Sequence, residues 1–393
     1  MLTPTPTIEK PSNLVAFAFL LIAFLTGIAS SFQLPTLSLF LTQEIQVSPA
    51  MVGYFYAINA IIGIGLSQIL AKYSDKMIDR RKVILYCCVL AIGGCLVFAF
   101  NRNYYWLILL GTTLLGLGSS ANPQSFALAR EYADNTGKES VMFSTIMRTQ
   151  ISLAWIVGPP LSFSIALNWG FDWMYSIAGL AFLFCGLIAV TLLPKVPRKK
   201  MEQNTPLQAP SNNQKSVIYL FITVFMIFNC NGMYLINMPL YIIHELHLPA
   251  ELAGTLMGTA AGLEIPIMLL GGYLTQYFSK KALIFTALWA GFLFYLGLLF
   301  FQNTWQLVLL QFFNAIFIGI IATLGMLYFQ DLMPRQAGAA TTLFSNAAKL
   351  SWLVAGPIAG WLAQFWHYNT VFYVSFLMIA IAMVCLMKVR TVN

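Results

Sequence analysis

PKVPRKKMEQNTPLQAPSNNQKS, residues 194–216, is the one long polar stretch in the interior of the chain. It is basic and proline-containing, the composition of a flexible linker. On both sides of it the sequence is one apolar run after another. Runs of about 20 residues between charged breaks predict six membrane spans before it, at 14–41, 50–71, 83–101, 104–129, 141–167 and 171–193. Six more follow at 217–243, 250–277, 282–301, 304–330, 338–366 and 370–387. The expected organisation is a six-helix bundle over 1–193, a linker over 194–216 and a second six-helix bundle over 217–393.

Composition supports that reading. Of 393 residues, 59% are hydrophobic and 9% charged, against roughly 25% charged in soluble proteins. A single soluble core cannot absorb that much apolar surface. A cytosolic enzyme, a disordered chain and a nucleic-acid binder are excluded, and long all-apolar runs exclude an alternating membrane barrel. The formal charge of +8 needs no nucleic acid. With both termini in the cytoplasm, all but three of the 21 Lys and Arg fall in cytoplasmic segments: Arg102 lies outside, and Arg148 and Lys349 lie within spans. The six cysteines sit in apolar stretches without metal-site spacing and read as packed thiols. The first apolar run is too long for a cleaved signal.

The two halves repeat each other. At an offset of 201, Gly53 falls on Gly254, Asp75 on Gln276 and Arg80 on Lys281, while Gly158-Pro159 answers Gly356-Pro357 at an offset of 198.

Two parallel six-helix repeats are the architecture of the major facilitator superfamily, and local motifs resemble it too. The loop AKYSDKMIDRRK, 71–82, resembles that superfamily's loop motif of a glycine, an aspartate and a basic cluster. Ala71 stands for the first glycine and Asp79 for a second. More narrowly, FALAREY (126–132), MRTQISLAWIVGPP (147–160), NGMY (231–234), MPLY (238–241) and GTAAGLEIP (258–266) resemble the sugar efflux transporter family. The resemblance implies an all-α integral membrane protein with twelve transmembrane helices in two pseudo-symmetric halves. It further implies proton-driven export of lactose, glucosides and related sugars by rocking of the halves, in a bacterial inner membrane. Thr112 stands where many proton-coupled drug exporters carry an arginine, which counts against their arrangement.

Charges inside spans cost about 2.5–3.5 kcal/mol each on insertion scales, so they are functional candidates. They are Arg148, Glu264 and Lys349, expected to form a proton-coupling or charge network. Glu264 is the only deep acid; burial in low dielectric favours a protonated carboxyl, which suits a proton carrier. A fixed ion pair with Lys349 or Arg148 is the structural alternative. Arg148 offers five donors to sugar hydroxyls.

Neutral candidates for sugar contact are Gln33, Asn59, Asn122, Gln124, Gln150, Asn229, Asn231, Asn237, Gln311, Asn314 and Asn346, with Trp155, Tyr234, Trp352 and Tyr328 as aromatic surfaces. For any single one of these residues an interhelical hydrogen bond is the more common role than a ligand contact. Asp75, Arg130 and Glu131 are a candidate cytoplasmic gate. His244, His247 and His367 fall at outer span ends, where interfacial hydrogen bonding is expected, and their spacing is not that of a zinc protease.

No cofactor or metal is expected. The energy source is a proton gradient, since Gly116-Leu-Gly118 is mid-span and lacks the P-loop lysine. The partners expected are a small sugar and the lipid bilayer, with no nucleic acid and a monomeric protein. A multidrug exporter of the same fold is the nearest alternative. A membrane transferase is remote, because the outer loops are a few residues long and carry only Glu44, Asp172, Glu245 and Glu251 as acids.

Overall fold

A computed structural model describes residues 13–74, 79–136, 140–196, 213–333 and 336–391. Asp75 of the expected gate and most of the 194–216 linker lie outside the described residues. Among the described residues every regular element is a helix, as expected. The first three spans are α1 (Asn13–Gln43), α2 (Pro49–Ser74) and α3 (Arg80–Phe100). The fourth comprises α4 (Tyr104–Trp106), α5 (Thr112–Gly118) and α6 (Ala121–Thr136). Spans five to twelve are α7 (Ser140–Trp169), α8 (Phe171–Thr191), α9 (Gln214–His244), α10 (Glu251–Leu274), α11 (Lys280–Phe300), α12 (Thr304–Leu332), α13 (Ala337–Phe365) and α14 (Thr370–Met387).

Ten of these helices are long and apolar enough to cross a membrane. The other two predicted spans are helical but differ for physical reasons. The fourth is interrupted twice, by a π-turn at Leu107–Gly111 and by a break at Ser119-Ser120. Pro123 has no N–H to return to the preceding turn, so the Asn122 N–H reaches the Ser119 carbonyl instead, at 3.4 Å. Its counterpart α12 is continuous over 29 residues. The eleventh, α13, is long enough, but Asn346 and Lys349 dilute its apolarity.

The sequence repeat appears in the turns. After α1 the backbone N–H groups of Glu44 and Ile45 return to the Phe40 carbonyl and that of Val47 to Leu41. After α9, Glu245, Leu246 and Leu248 make the same three bonds to Tyr241 and Ile242. Both turns pass through a left-handed residue, Gln46 (φ 56°) and His247 (φ 54°), again 201 positions apart. His247 therefore shapes a turn, while His244 stacks on Tyr368 at 5.4 Å.

One expected equivalence is corrected. The sequence offset of 201 places Arg80 on Lys281, but the contacts place it on Lys280. Arg80 pairs with Glu131 at 2.9 Å, Lys280 pairs with Asp331, and each pair is separated by 51 residues. The next residues agree: Arg81 donates to the Leu193 carbonyl beyond α8, and Lys281 donates to the Met387 and Val389 carbonyls at the end of α14. The register thus changes from 201 to 200 between the second and third helices of each half, which is one residue fewer in the second half's loop. The helix cap at Asn103 recurs at Asn303 in this new register.

The chain forms two compact units. The first holds the described residues of Met1–Leu34, Ile62–Gly158 and Asn168–Gln203. Here α3 packs on α8, α5 and α6. Tight approaches set these contacts: a Cβ at Gly94 would lie 2.8 Å from the Leu115 side chain, and one at Gly27 2.8 Å from the Ala154 Cβ.

The second unit holds the described residues of Pro35–Ile61, Pro159–Leu167 and Asn204–Asn393. Within it α9 packs on α13 and α14, α10 on α12, and α11 on α12 and α14. It also includes the ends of α1, α2 and α7 that lie away from the basic loops, called the far end below.

Candidate functional site

The far end of the second unit is closed by backbone-to-backbone contacts. A Cβ at Gly356 would sit 2.6 Å from the Gly53 carbonyl oxygen and 2.8 Å from the Tyr56 Cβ. A Cβ at Gly53 would collide with the Gly356 carbonyl, and one at Gly360 with the Pro49 carbonyl. On the other side, a Cβ at Gly254 would sit 2.7 Å from the Pro159 carbonyl. These are the repeat-related glycines of the second and eighth spans, each pressed on the proline-bearing helix of the opposite sequence half. Glycine is required because only a missing Cβ lets the backbones meet. The Trp361 Nε1–H donates to Tyr54 Oη at 2.8 Å beside this seal.

Helical phase then identifies the face below it. In α13, Asn346, Lys349, Trp352, Gly356 and Gly360 recur at spacings of three and four and share one side. Its glycine end meets α2. Its other end is uncovered: Asn346 and Lys349 are exposed and Trp352 half-buried. The opposite side, Ala347, Ser351, Ala355 and Ala359, is buried on α9, where a Cβ at Gly232 would lie 3.0 Å from Ala355. A charged stripe continuous with an interhelical seal does not face lipid, because a lysine and an amide mid-helix are costly there.

The equivalent helix α7 repeats the pattern. Arg148, Ser152, Trp155 and Pro159 share a face; Arg148 is exposed and Trp155 and Gln150 half-buried. The Arg148 guanidinium carbon lies 5.8 Å from the Phe126 ring centroid, a cation–π contact. Glu264 on α10 is half-buried, and its carbonyl oxygen lies 3.4 Å from where a Cβ at Gly319 of α12 would be. Among the described residues neither Glu264 nor Lys349 has an ion-pair partner within 4.0 Å. Asn59 and Asn231 are half-buried on α2 and α9.

The other amide candidates lie elsewhere. Asn229 donates to the Ser351 carbonyl (3.1 Å), Asn237 to the Tyr368 carbonyl (2.8 Å), Tyr234 to Gln311 Oε1 (3.2 Å) and Asn314 to the same oxygen (3.1 Å). All five residues are buried within the second half. Tyr328 is buried and donates to the Arg390 carbonyl. In the first unit, Gln33 contacts the Cys95 sulfur at 3.6 Å and Asn122 donates to Thr26 Oγ1 at 3.1 Å.

Gln124 accepts from Arg80 Nη1 at 2.7 Å, beside the Arg80–Glu131 ion pair. Glu131 of the expected gate thus meets Arg80, while Arg130 is exposed. Sequence reasoning missed Arg80, Lys280 and Asp331 as specific partners; the recurring basic-then-acidic spacing was the available signal. Asp79, placed where the superfamily motif has glycine, caps α3 by accepting from the Arg81 N–H. The Arg81 side-chain hydrogen bond also holds its carboxyl below the usual carboxylate range.

Two helical repeats that seal one end by glycine contacts and bare a charged face below the seal are the parts of a two-repeat membrane transporter, not of an enzyme. The Major Facilitator Superfamily model matches residues 19–218 and 220–393. The chain is 52% identical to sugar efflux transporter A of Dickeya chrysanthemi, over 98% of each protein. It is 48% identical to sugar efflux transporter B of Salmonella typhimurium, over 99% of each. Among solved structures, the nucleoside transporter NupG superposes with a TM-score of 0.80 at 15% identity, covering 96% of this chain and all of that one. The chain belongs to the sugar efflux transporter family of the major facilitator superfamily.

Proposed function

We propose that this protein exports sugars or glucosides of the lactose type across a bacterial inner membrane in exchange for protons. It acts as a monomer with both termini in the cytoplasm and takes its energy from the proton gradient alone. The observation that carries the reading is the stripe Asn346, Lys349 and Trp352, uncovered below a glycine seal. A pyranoside needs several donors and acceptors and a flat apolar surface, and this stripe supplies both. Arg148 and Trp155 offer the same chemistry from the equivalent helix of the other repeat. The names of relatives 46–52% identical over nearly the full length support sugar as the cargo.

Glu264 carries the proton in this scheme. It is the only acid deep in a span, and no fixed cation among the described residues holds it ionised. Alternating access then exposes its carboxyl to each side in turn. The seal of Gly53 on Gly356 and Gly254 on Pro159 opens to release sugar on the far side.

Proteoliposomes loaded with radiolabelled lactose or a thioglucoside, under an imposed pH gradient, test this. Efflux that follows the gradient in the wild type and loses that dependence in Glu264→Gln is the expected result. No sugar flux, with extrusion of a lipophilic cationic dye, replaces the sugar reading by drug export. Normal gradient-driven flux in Glu264→Gln removes that residue from coupling.

A further inference from the structure

At the far end of the α13 stripe, Trp352 is paired with a second aromatic residue, Tyr56, that the sugar chemistry described above does not use. The Tyr56 ring lies nearly parallel to the Trp352 indole, with centroids 6.3 Å apart and 20° between planes. Tyr56 is held there firmly. It is 2% exposed, and its Cβ lies 2.8 Å from where Gly356 would carry one. Gly53, one turn earlier on α2, meets the Gly356 carbonyl. Trp352 is confined on the α9 side as well, where a Cβ at Gly232 would lie 3.9 Å from its Cε3. Between these constraints the indole is held on two sides yet stays half-buried, and Lys349 and Asn346 lie one and two turns further along the same side of α13.

We propose that Tyr56 is a positioning residue for substrate selection, fixing the Trp352 indole so that its free face stacks only on a ring-closed sugar. Rings stack on an aromatic surface through a flat row of C–H groups, and an open-chain polyol of the same formula class cannot present one. A fixed indole discriminates strongly, because a freely rotating one loses the stacking energy to side-chain entropy. The saccharide that stacks on Trp352 places its hydroxyls beside Lys349 and Asn346. This inference rests on the sugar reading of the stripe and goes further in assigning to Tyr56 the selection of closed rings over open-chain polyols.

The test is transport kinetics in proteoliposomes with a methyl glucoside and an acyclic hexitol as the two probes. Tyr56→Ala is expected to raise KM for the glucoside about fivefold, the value of one aromatic stack, with kcat and hexitol flux unchanged. Tyr56→Phe keeps the ring and retains the wild-type KM. Trp352→Leu gives the same rise, and adding Tyr56→Ala to it has no further effect, since the first residue acts through the second. Equal slowing of both probes, or a Tyr56→Phe variant as poor as Tyr56→Ala, overturns the positioning role. If Tyr56→Ala does not insert in the membrane, Tyr56→Leu and the Trp352→Leu background carry the comparison. A wild type that moves neither probe defeats the sugar reading itself, an outcome distinct from a wild type that moves both and ignores Tyr56.

Discussion

Lys280 meets Asp331 across the same 51-residue separation at which Arg80 meets Glu131. The third helix of each half is thereby tied to the end of the fourth, and the following residue, Arg81 or Lys281, ties it to the end of the sixth. The two clamps differ in one respect. Among the described residues Arg80 makes at least two side-chain contacts, Nε to Glu131 and Nη1 to Gln124, whereas Lys280 meets Asp331.

That difference predicts an asymmetric response to conservative exchange. A guanidinium fork serves two acceptors at fixed geometry and an ammonium does not. Arg80→Lys is expected to lower thermal stability by about 1 kcal/mol, the scale of one hydrogen bond in a largely buried pair. Lys280→Arg is expected to be neutral. Unfolding of purified protein in detergent, followed by fluorescence, measures both; equal effects in the two halves contradict the account.

The glycine seal predicts a second contrast. Gly356→Ala forces the Gly53 backbone and the Tyr56 side chain away, so the far end cannot close. Transport is expected to fall at least about tenfold, in keeping with the loss of one required state. Gly63→Ala on the same α2 helix meets nothing within 4 Å. It should leave transport intact and stabilise the helix by about 0.5–1 kcal/mol. Transport assays beside expression levels distinguish the two, and a fully active Gly356→Ala variant sinks the seal.

The buried amides give a third. Tyr234→Phe removes the hydrogen bond to Gln311 inside the second half. About 0.5–1.5 kcal/mol of stability should be lost with KM for sugar unchanged. A raised KM at wild-type stability would put Tyr234 on the sugar path.

Much of this was legible in the sequence. Long apolar runs, the polar 194–216 segment and the paired Gly-Pro motifs mark the helices and the repeat, because burial in lipid constrains composition directly. The amides were not sortable in the same way. Asn314 and Asn346 are equally polar in one dimension, and only the partner helix decides that one is buried against Gln311 while the other stays uncovered. Helical phase offered a partial signal, since Lys349 lies two turns from Gly356 and shares its face. The break in the fourth span was foreshadowed by Pro123. The π-turn at Leu107–Gly111 had no sequence mark, being a choice of hydrogen-bond register rather than of residue type. That Lys280 rather than Lys281 is the repeat counterpart of Arg80 is not legible, because a one-residue change in a loop leaves no trace in hydrophobic periodicity.

The central claim is that the α13 stripe lines the sugar path, and cysteine accessibility tests it most directly. Five of the six native cysteines are buried, and Cys385 is partly so and replaceable by Ser. Asn346→Cys and Lys349→Cys, introduced singly and exposed to a water-soluble maleimide, should label readily and be protected by saturating glucoside, while Ala347→Cys, one position away on the buried side, should not label. Labelling of Ala347→Cys, or labelling at 346 and 349 that glucoside leaves unchanged, would contradict the account.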